Sequence, residues 1–272
     1  MAVSGASGVT EDLDTLLTVA IDAARQAGDL ALRYQQTGVR VETKPDRTPV
    51  TQADTEAEQL IRQLISSRFP AHRFLGEEMG GGDSNHGYVW VIDPIDGTKN
   101  FIRGLPYFGT QLALLHDSQL LVGVSYAPAL RELMAAASGR GATLNGTPVH
   151  VSRIQSLEDA FVVHGGLDQF VHHGVLDALV AVGNHAMSVR GHGDFYGYHL
   201  VAQGKVDAMI EASIHPWDIA ACKIIVHEAG GRFTGFDGSA TGLPPNSVAS
   251  NGIIHDDLLR LFHSGHPAAT AP

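Results

Sequence analysis

Two aspartates end an apolar segment of the chain and are followed at once by a glycine turn. In the stretch VWVIDPIDGTKNFIRG, Asp93 and Asp96 are separated by Pro-Ile, and Gly97 and Thr98 come next. Two carboxylates at this spacing repel each other unless a proton or a cation lies between them. Turn formation could explain each acid separately, because aspartate often supports turns. The pair alone therefore leaves a structural and a metal-binding interpretation open.

Other acids follow apolar segments in the same way. Glu77 comes after the strand-like RFLG and before glycines, and Asp218 follows Pro216 at a predicted helix start. Asp218 taken alone is equally compatible with helix capping. Acids at three separate strand ends or helix starts together favour a binding site for hard divalent cations such as Mg2+, which take oxygen ligands. The acids concerned are Glu77, Asp93, Asp96 and Asp218. They would suffice for two or three ions.

The glycine turn adds a place for an anion beside these acids. N–H groups at a glycine turn that runs into a helix start form an anion cradle, so Gly97 and Thr98 are predicted to hold phosphate. Divalent cations would supply the positive charge and the activated water that phosphate-ester hydrolysis needs. Enzymes accelerate this reaction by up to ~10²¹-fold. The sequence therefore predicts hydrolysis of a phosphate monoester.

Asp54 is the candidate for activating the water. It ends the stretch TQAD, which also matches a capping box at the start of a helix, and the stretch alone favours that capping role. In the functional interpretation, Asp54 reaches the hydroxyl of Thr98, which then orients the attacking water. Both interpretations remain open at the level of the sequence.

The sequence lacks the motifs that mark several other classes of protein. The chain has no HExxH, paired CxxC or P-loop, its GHGDFYG fails the dinucleotide fingerprint GxGxxG, and no GxSxG elbow is present. A formal net charge of −11 over 272 residues argues against a nucleic-acid-binding surface. The single cysteine, Cys222, excludes an intramolecular disulfide. Without a signal-peptide pattern or a membrane-length apolar run, we expect a cytoplasmic protein with no membrane partner.

Hydrophobic periodicity predicts the elements that must position these residues. Helices are predicted over residues 12–36, 51–70, 169–183 and 218–228. Strands are predicted within residues 73–76, 109–116, 119–128, 132–138 and 159–166, a hairpin at 140–152, and strand, helix and strand over 188–213. Residues 42–51 contain two prolines and cannot be helical throughout. We expect one domain over 11–264 with flexible ends at 1–10 and 265–272.

Three motifs in order along the chain resemble the inositol monophosphatase family of Mg2+-dependent phosphatases. They are GEE at 76–78, DPIDGTKNF at 93–101, and WD at 217–218 followed by EAGG at 228–231. The resemblance spans about residues 10–262 and implies an α/β fold, a layered α-β-α-β-α sandwich of the sugar-phosphatase type, which is usually dimeric. It implies metal ligation by Glu77, Asp93, Asp96, Asp218 and the carbonyl of Ile95, water activation by Asp54 and Thr98, and phosphate binding by Gly97 and Thr98.

A finer resemblance is to the histidinol-phosphate phosphatase branch of this family. It rests on TKPDRTPVTQAD at 43–54, NFIRGLP at 100–106 and RGHGDF at 190–195. Inositol-specific members usually carry a small or hydroxyl residue where this chain has Asp194. Since histidinol phosphate bears a primary ammonium group, Asp194 and Glu211 would give it a negative partner, with Arg190 in the same substrate site. Asp194 could instead cap the next helix, and Glu211 also serves substrate hydroxyls in the family.

The resemblance implies hydrolysis of L-histidinol phosphate to L-histidinol and phosphate, a step of histidine biosynthesis. The same metal chemistry would serve inositol 1-phosphate or another polyol or sugar phosphate, and the residues leave this alternative open. A third hypothesis is a regulatory or RNA-polymerase-associated binding protein with residual phosphatase activity. The net charge of −11 disfavours a basic docking surface of that kind.

Overall fold

Helices and strands are interleaved throughout the part of the chain that the structure describes. The computed structural model describes residues 11–38, 41–43, 49–82 and 86–264, so both predicted flexible ends lie outside the described residues. The described helices are α1 (Leu13–Thr37), α2 (Gln52–Arg68), α3 (Thr98–Ile102), α4 (Leu167–His172), α5 (Leu176–His185), α6 (Asp194–Ala202), α7 (Pro216–Glu228) and α8 (His255–Ser264). The described strands are β1 (Val41–Thr43), β2 (Pro49–Thr51), β3 (Arg73–Gly76), β4 (Gly80–Gly81), β5 (Tyr88–Asp96), β6 (Gly109–His116), β7 (Gln119–Ala127), β8 (Glu132–Ala137), β9 (Ala142–Leu144), β10 (Thr147–Val149), β11 (Phe161–His164), β12 (Ser188–Gly191), β13 (Ala208–Ala212), β14 (Arg232–Thr234) and β15 (Asn246–Ser250).

Five layers of helix and sheet alternate. Within the described residues, α1 and α2 cover one face of an eight-stranded sheet with the strand order β10-β9-β8-β7-β6-β5-β3-β4. The other face of that sheet packs against α6 and α7, which also pack on a five-stranded sheet of order β12-β11-β13-β15-β14. Helices α4, α5 and α8 cover the outer face of the second sheet. The predicted α-β-α-β-α sandwich is therefore confirmed.

Strand β5 shows how the sequence builds these layers. Trp90 and Ile92 pack with α1 and α2, whereas Val91 packs with α7. This division follows because consecutive side chains of a strand point to opposite faces. Both faces are covered, so the strand is apolar throughout up to its acidic end. Complete burial of a side chain such as Ile92 contributes roughly 1.5–3 kcal/mol.

The predicted local signals agree with most of the described elements. Asp12 caps α1 by accepting a hydrogen bond from the N–H of Thr15 at 3.1 Å. Strands β6, β7 and β8 are sequential antiparallel neighbours, as a meander requires. Asn145 and Gly146, with φ of 50° and 81°, turn the β9–β10 hairpin, the conformation that such a two-residue turn demands.

The single helix predicted over residues 169–183 is wrong. Two helices, α4 and α5, occupy this region, and Gly174 between them has a φ of +66°. An α-helix cannot continue through that left-handed conformation, which glycine adopts at little cost. The prediction also missed β14, β15 and α8. Strand β15 pairs with both β13 and β14, yet its sequence NSVAS is mostly small and polar and carries a weak strand signal.

Candidate active site

A bulge at the end of β5 turns both aspartates to one side. Asp93 pairs with Gln111 and Asp96 with Gly109 of β6, so three steps along β5 oppose two along β6. Without the bulge, residues three apart on a strand would point to opposite faces. Asp93 shares the strand face of Val91, which is directed at α7, and the extra residue brings Asp96 to the same side.

Hydrogen bonds within the turn and from β6 hold the bulge in place. The carboxylate Oδ1 of Asp93 accepts the N–H of Ile95 at 3.0 Å. The hydroxyl of Thr110, on β6, donates to the carbonyl of Pro94 at 2.9 Å. Asp93 and Asp96 are only 2% and 8% exposed. The chain therefore holds two carboxylates inside the protein, where an isolated charge is costly.

One group of acids surrounds Asp93. Burial raises the pKa of Asp93 well above its usual range, and the charges of Glu77, Asp96 and Asp218 raise it further. Burial also raises the pKa of Asp218 to about 7, again with a contribution from Glu77. These mutual effects mean that side chains from β5, the loop after β3 and the start of α7 lie close together, as the sequence predicted.

A second group of acids surrounds Asp96. Burial raises the pKa of Asp96 well above its usual range, with further contributions from the charges of Asp194, Asp218 and Glu211. Burial raises the pKa of Glu211 to about 8, and the charge of Asp194 adds to the effect. Asp218 acts on both Asp93 and Asp96. The two groups therefore form one continuous acidic site.

Asp54 combines the capping role with an unsatisfied oxygen. Its Oδ2 accepts hydrogen bonds from the N–H and the hydroxyl of Thr51, at 2.8 Å and 2.5 Å, and completes a capping box. Its Oδ1 is buried and has no hydrogen-bond partner in the described residues. Burial raises its pKa to about 6, with the charge of Glu77 contributing. Asp54 thus faces the acidic site while it caps α2.

Thr98 and Asp54 are not hydrogen-bonded to each other within the described residues. The hydroxyl of Thr98 donates instead to the carbonyl of Ile95 at 3.0 Å. That carbonyl, a predicted metal ligand, keeps a second lone pair. The pairing of Asp54 with Thr98 in water activation therefore stays a prediction.

Gly97 is required by the geometry of the turn. It has a φ of +80°, and a Cβ added there would lie 2.7 Å from the carbonyl oxygen of Tyr107. Any other residue would suffer both backbone strain and this clash. The predicted phosphate cradle of Gly97 and Thr98 lies beside Asp96, at the start of α3. Phosphate binding itself stays a prediction.

Buried Glu58 positions Glu77, and the sequence analysis missed it. Its Oε2 accepts the N–H groups of Glu78 and Met79, at 2.9 Å and 3.3 Å. Its Oε1 pairs with Arg62, Nη2 to Oε1, at 2.7 Å. A Cβ at Gly76 would collide with this carboxylate. Glu58 thereby fixes the backbone on both sides of the predicted metal ligand.

Asp218 caps the helix in which it lies, whereas Asp194 does not. Asp218 Oδ2 accepts the N–H of His215 at 2.8 Å, so it caps α7 as well as facing the other acids. Asp194 makes no capping bond to α6, whose N-cap is Gly193. The carboxylate of Asp194 accepts a hydrogen bond from Asn100 Nδ2 at 2.9 Å instead. The capping explanation of Asp194 is therefore wrong.

Two residues that the sequence analysis missed contact the predicted substrate acids. Tyr198 donates its hydroxyl to Glu211 Oε2 at 2.9 Å, and Asn100 holds Asp194. Arg190 behaves differently, since it is exposed and donates to the carbonyl of adjacent Val189 at 2.8 Å. Among the described contacts, none joins Arg190 to the acids, and its role in binding substrate stays a prediction.

The donor set fits a hard divalent cation. The candidate ligands are carboxylate and carbonyl oxygens, which suit Mg2+ rather than a soft metal. The buried Asp54 Oδ1, which has no partner in the described residues, adds another oxygen at the site. No three acidic, histidine or cysteine side chains of the described residues stand ready in coordinating geometry. Asp93, Asp96 and Asp218 each give one oxygen to a backbone N–H instead. Ligation would then use their remaining oxygens.

Comparison with known proteins now decides the family. The model of the inositol monophosphatase family matches residues 12–266. The chain belongs to the inositol monophosphatase family. It is therefore a phosphomonoesterase of a metal-dependent family, and the resemblance of its motifs is confirmed.

No described helix has the length and apolar character to cross a membrane.

Relatives within the family cover nearly the whole chain. The histidinol-phosphatase of Chlorobaculum parvum is 43% identical over 255 residues, which are 92% of this chain and 97% of that protein. The histidinol-phosphatase of Mycobacterium tuberculosis is 40% identical over 255 residues, 92% of this chain and 98% of that one. Among solved structures, an IMPase of Thermotoga maritima superimposes with a TM-score of 0.84 at 33% identity, over 92% of this chain and 98% of that one.

Proposed function

We propose that this phosphomonoesterase hydrolyses L-histidinol phosphate to L-histidinol and phosphate. The observation that carries the proposal is the place of Asp194. A Cβ at Gly97 would lie 3.4 Å from its Oδ2, so the acid borders the predicted phosphate turn. The acid could therefore pair with an ammonium group on the same small molecule whose phosphate binds at that turn. The two relatives named histidinol-phosphatase support the same substrate.

The predicted metal ligands and the predicted substrate acids have separate tasks in this proposal. Two or three Mg2+ ions held by Glu77, Asp93, Asp96, Asp218 and the Ile95 carbonyl would offset the carboxylate charge, polarise the phosphoryl group and lower the pKa of water. The Gly97 turn orients the phosphate, and Asp194 with Glu211 orients the alcohol that leaves. This division separates chemistry from substrate choice, because substrate choice depends on Asp194 and Glu211.

Proton removal is assigned to Asp54. Its unpartnered Oδ1 is a free acceptor, and its pKa of about 6 suits a base near neutral pH. In this proposal, the hydroxyl of Thr98 would turn from the Ile95 carbonyl to relay a proton from water to this oxygen. Thr51, bonded to Oδ2, fixes the orientation of the carboxylate.

A polyol phosphate such as inositol 1-phosphate is the second candidate substrate. The solved structure named as an IMPase, from Thermotoga maritima, shares the fold at 33% identity. Glu211, which already accepts a hydroxyl hydrogen bond from Tyr198, could equally accept one from a polyol. The metal chemistry would be unchanged.

Phosphate release from the two substrates, measured side by side with Mg2+ titrated, tests the proposal. We expect kcat/KM for L-histidinol phosphate to exceed that for inositol 1-phosphate by at least about tenfold, since one charge-assisted contact supplies about that much. EDTA-treated enzyme is the control and should be inactive with both. Equal efficiency, or a preference for inositol 1-phosphate, would contradict the proposed substrate.

The family resemblance also implies a homodimer, and we include this assembly in the proposal. Size-exclusion chromatography with light scattering measures it directly. A monomeric mass at the concentration of the activity assay would remove the dimer from the proposal without affecting the proposed substrate.

A further inference from the structure

A side-chain amide joins the predicted specificity acid to the helix after the phosphate turn. Asn100 Nδ2 donates to Asp194 Oδ2 at 2.9 Å, across 94 positions of the chain. We propose that Asn100 is a positioning residue that holds Asp194 for an ammonium group of the substrate, and so sets the preference for cationic over neutral phosphate esters. The inference rests on the proposed function and deepens it.

The backbone at Asp194 directs its carboxylate away from its own helix. Its φ of +56° is in the left-handed region, which aspartate enters more readily than most residues. Its N–H donates to Glu211 Oε1 at 3.2 Å, and α6 has no side-chain cap. The conformation therefore releases the carboxylate from α6, and Asn100 is the side chain that receives it.

The Asn100–Asp194 hydrogen bond lies over the phosphate turn. A Cβ at Gly97 would lie 3.4 Å from Asp194 Oδ2 and 3.5 Å from Asn100 Nδ2. Both partners therefore border the same glycine. A small substrate with its phosphate at this turn would have its other end within reach of Asp194, so the orientation of that carboxylate affects binding directly.

Asn100 is suited to this task because it is a neutral donor. It occupies Oδ2 without adding a positive charge, and it leaves Oδ1 of Asp194 available to an ammonium group. Lys99 is exposed and its charge also acts on Asp194, but no ion pair between them is formed in the described residues. An acid already oriented loses less side-chain entropy when the substrate binds.

The local structural role of Asn100 is carried by its backbone. Its carbonyl accepts the N–H groups of Arg103 and Leu105, at 3.1 Å and 3.0 Å, which close the turn after α3. Substitution of the side chain leaves these bonds available. Loss of the amide can therefore be separated from loss of the turn.

A double-mutant cycle tests the inference. The proteins are wild type, Asn100→Ala, Asp194→Ala and the double variant, each assayed with L-histidinol phosphate and inositol 1-phosphate. We expect Asn100→Ala to lower the ratio of the two kcat/KM values about tenfold, through a raised KM for histidinol phosphate and a smaller change in KM for the neutral ester. In the Asp194→Ala background the same substitution should leave the ratio unchanged, since Asn100 acts through Asp194.

Two further variants make the result specific. Asn100→Leu keeps a similar volume but removes the donor without adding a charge, and should lower the ratio at least as much. Asn184→Ala, at an exposed position on α5, is the matched control and should leave the ratio unchanged. Thermal unfolding of each variant verifies that the fold is retained.

The outcomes distinguish failure of the inference from failure of the proposed function. A wild-type enzyme that ignores histidinol phosphate would overturn both. If wild type prefers histidinol phosphate and Asp194→Ala removes the preference, but Asn100→Ala does not, only the inference fails. Equal losses with both substrates, or an undiminished effect of Asn100→Ala in the Asp194→Ala background, would also overturn it.

Discussion

The backbone N–H of Phe195 donates to Asp96 Oδ2 at 2.8 Å, although the two residues lie 99 positions apart. The adjacent N–H, of Asp194, donates to Glu211. N–H groups at a helix start lack partners within the helix and carry partial positive charge. The start of α6 therefore stabilises two carboxylates of the acidic site. This link also ties the predicted metal ligands to the predicted substrate acids.

In the metal-free protein, the free energy of unfolding should fall as pH rises from 6.5 to 8. The pKa values of Asp218 and Glu211, about 7 and about 8, are higher than in the unfolded chain. The folded protein consequently binds more protons in this window, and its stability is lost as these groups ionise. Urea unfolding in EDTA measures the trend.

Saturating Mg2+ is the matched control for this prediction. Cations that bind only the folded state add stability and compensate the ionised carboxylates, so the fall should disappear or reverse. A flat profile in EDTA, or identical profiles with and without Mg2+, would show that the acids do not destabilise one another.

Acid should destabilise the protein through His199. Its side chain is 1% exposed, its Nε2 lies 2.6 Å from Ser125 Oγ, and burial lowers its pKa to about 3. The unfolded chain takes up this proton below about pH 6.5, whereas the folded chain does not. Stability is therefore lost as pH falls from 6.5 towards 3, by up to about 1.4 kcal/mol per pH unit.

His199→Gln should make this dependence shallower, because glutamine does not titrate and can still bond to Ser125. Unfolding free energies between pH 4 and 6.5 give the two slopes. His255, also buried with a pKa lowered to about 4, is unchanged in the variant, as are the buried acids Asp54, Asp218 and Glu211, whose raised pKa values act with the opposite sign. These groups set the slope that remains, and the difference between the two slopes reports His199. Equal slopes for variant and wild type would rule out His199 as the titrating group.

The acids of the site could be predicted from the chain, but their arrangement could not. Asp93 and Asp96 are visible as a pair after an apolar strand. Their common orientation depends on a bulge that exists only when β5 pairs with Gln111 and Gly109 of β6. A three-residue spacing on an ideal strand would have placed the carboxylates on opposite faces.

The supporting residues were missed because their partners are distant in the chain. Asn100 acts on a residue 94 positions away, and Tyr198, on α6, bonds to Glu211 near the end of β13, 13 positions away. Glu58 gave one signal in the sequence, because it is an acid on the apolar face of α2. A buried acid of this kind requires a hydrogen-bonding or charged partner. The helix break at Gly174 was missed for a different reason, because hydrophobic periodicity does not depend on the sign of a glycine φ.

Glu58→Ala should weaken both the fold and the metal site. The substitution leaves the N–H groups of Glu78 and Met79 without their acceptor, at a cost of about 1–3 kcal/mol. It also frees the backbone beside Glu77, so Mg2+ affinity should fall about tenfold, as for other supporting residues of metal sites. Chemical unfolding and calorimetric Mg2+ titration measure the two effects.

Glu56→Ala, on the same helix, is the control for this variant. It removes an equal charge, but among the described residues Glu56 hydrogen-bonds to the side chains of Tyr34 and Gln52 rather than to the backbone beside Glu77. It should change Mg2+ affinity by less than about twofold, given the small effect of surface contacts. If Glu58→Ala and Glu56→Ala gave the same Mg2+ affinity, Glu58 would have no part in positioning Glu77.

The central claim is that acids from separate elements jointly hold divalent cations for phosphate-ester hydrolysis. Calorimetric Mg2+ titration of EDTA-dialysed wild type and Asp96→Asn tests it most directly. The account predicts two or three Mg2+ per wild-type chain, loss of at least one in the variant, about 10³-fold lower kcat, and no lower melting temperature without metal. An Asp96→Asn variant with wild-type Mg2+ stoichiometry, affinity and kcat would contradict it.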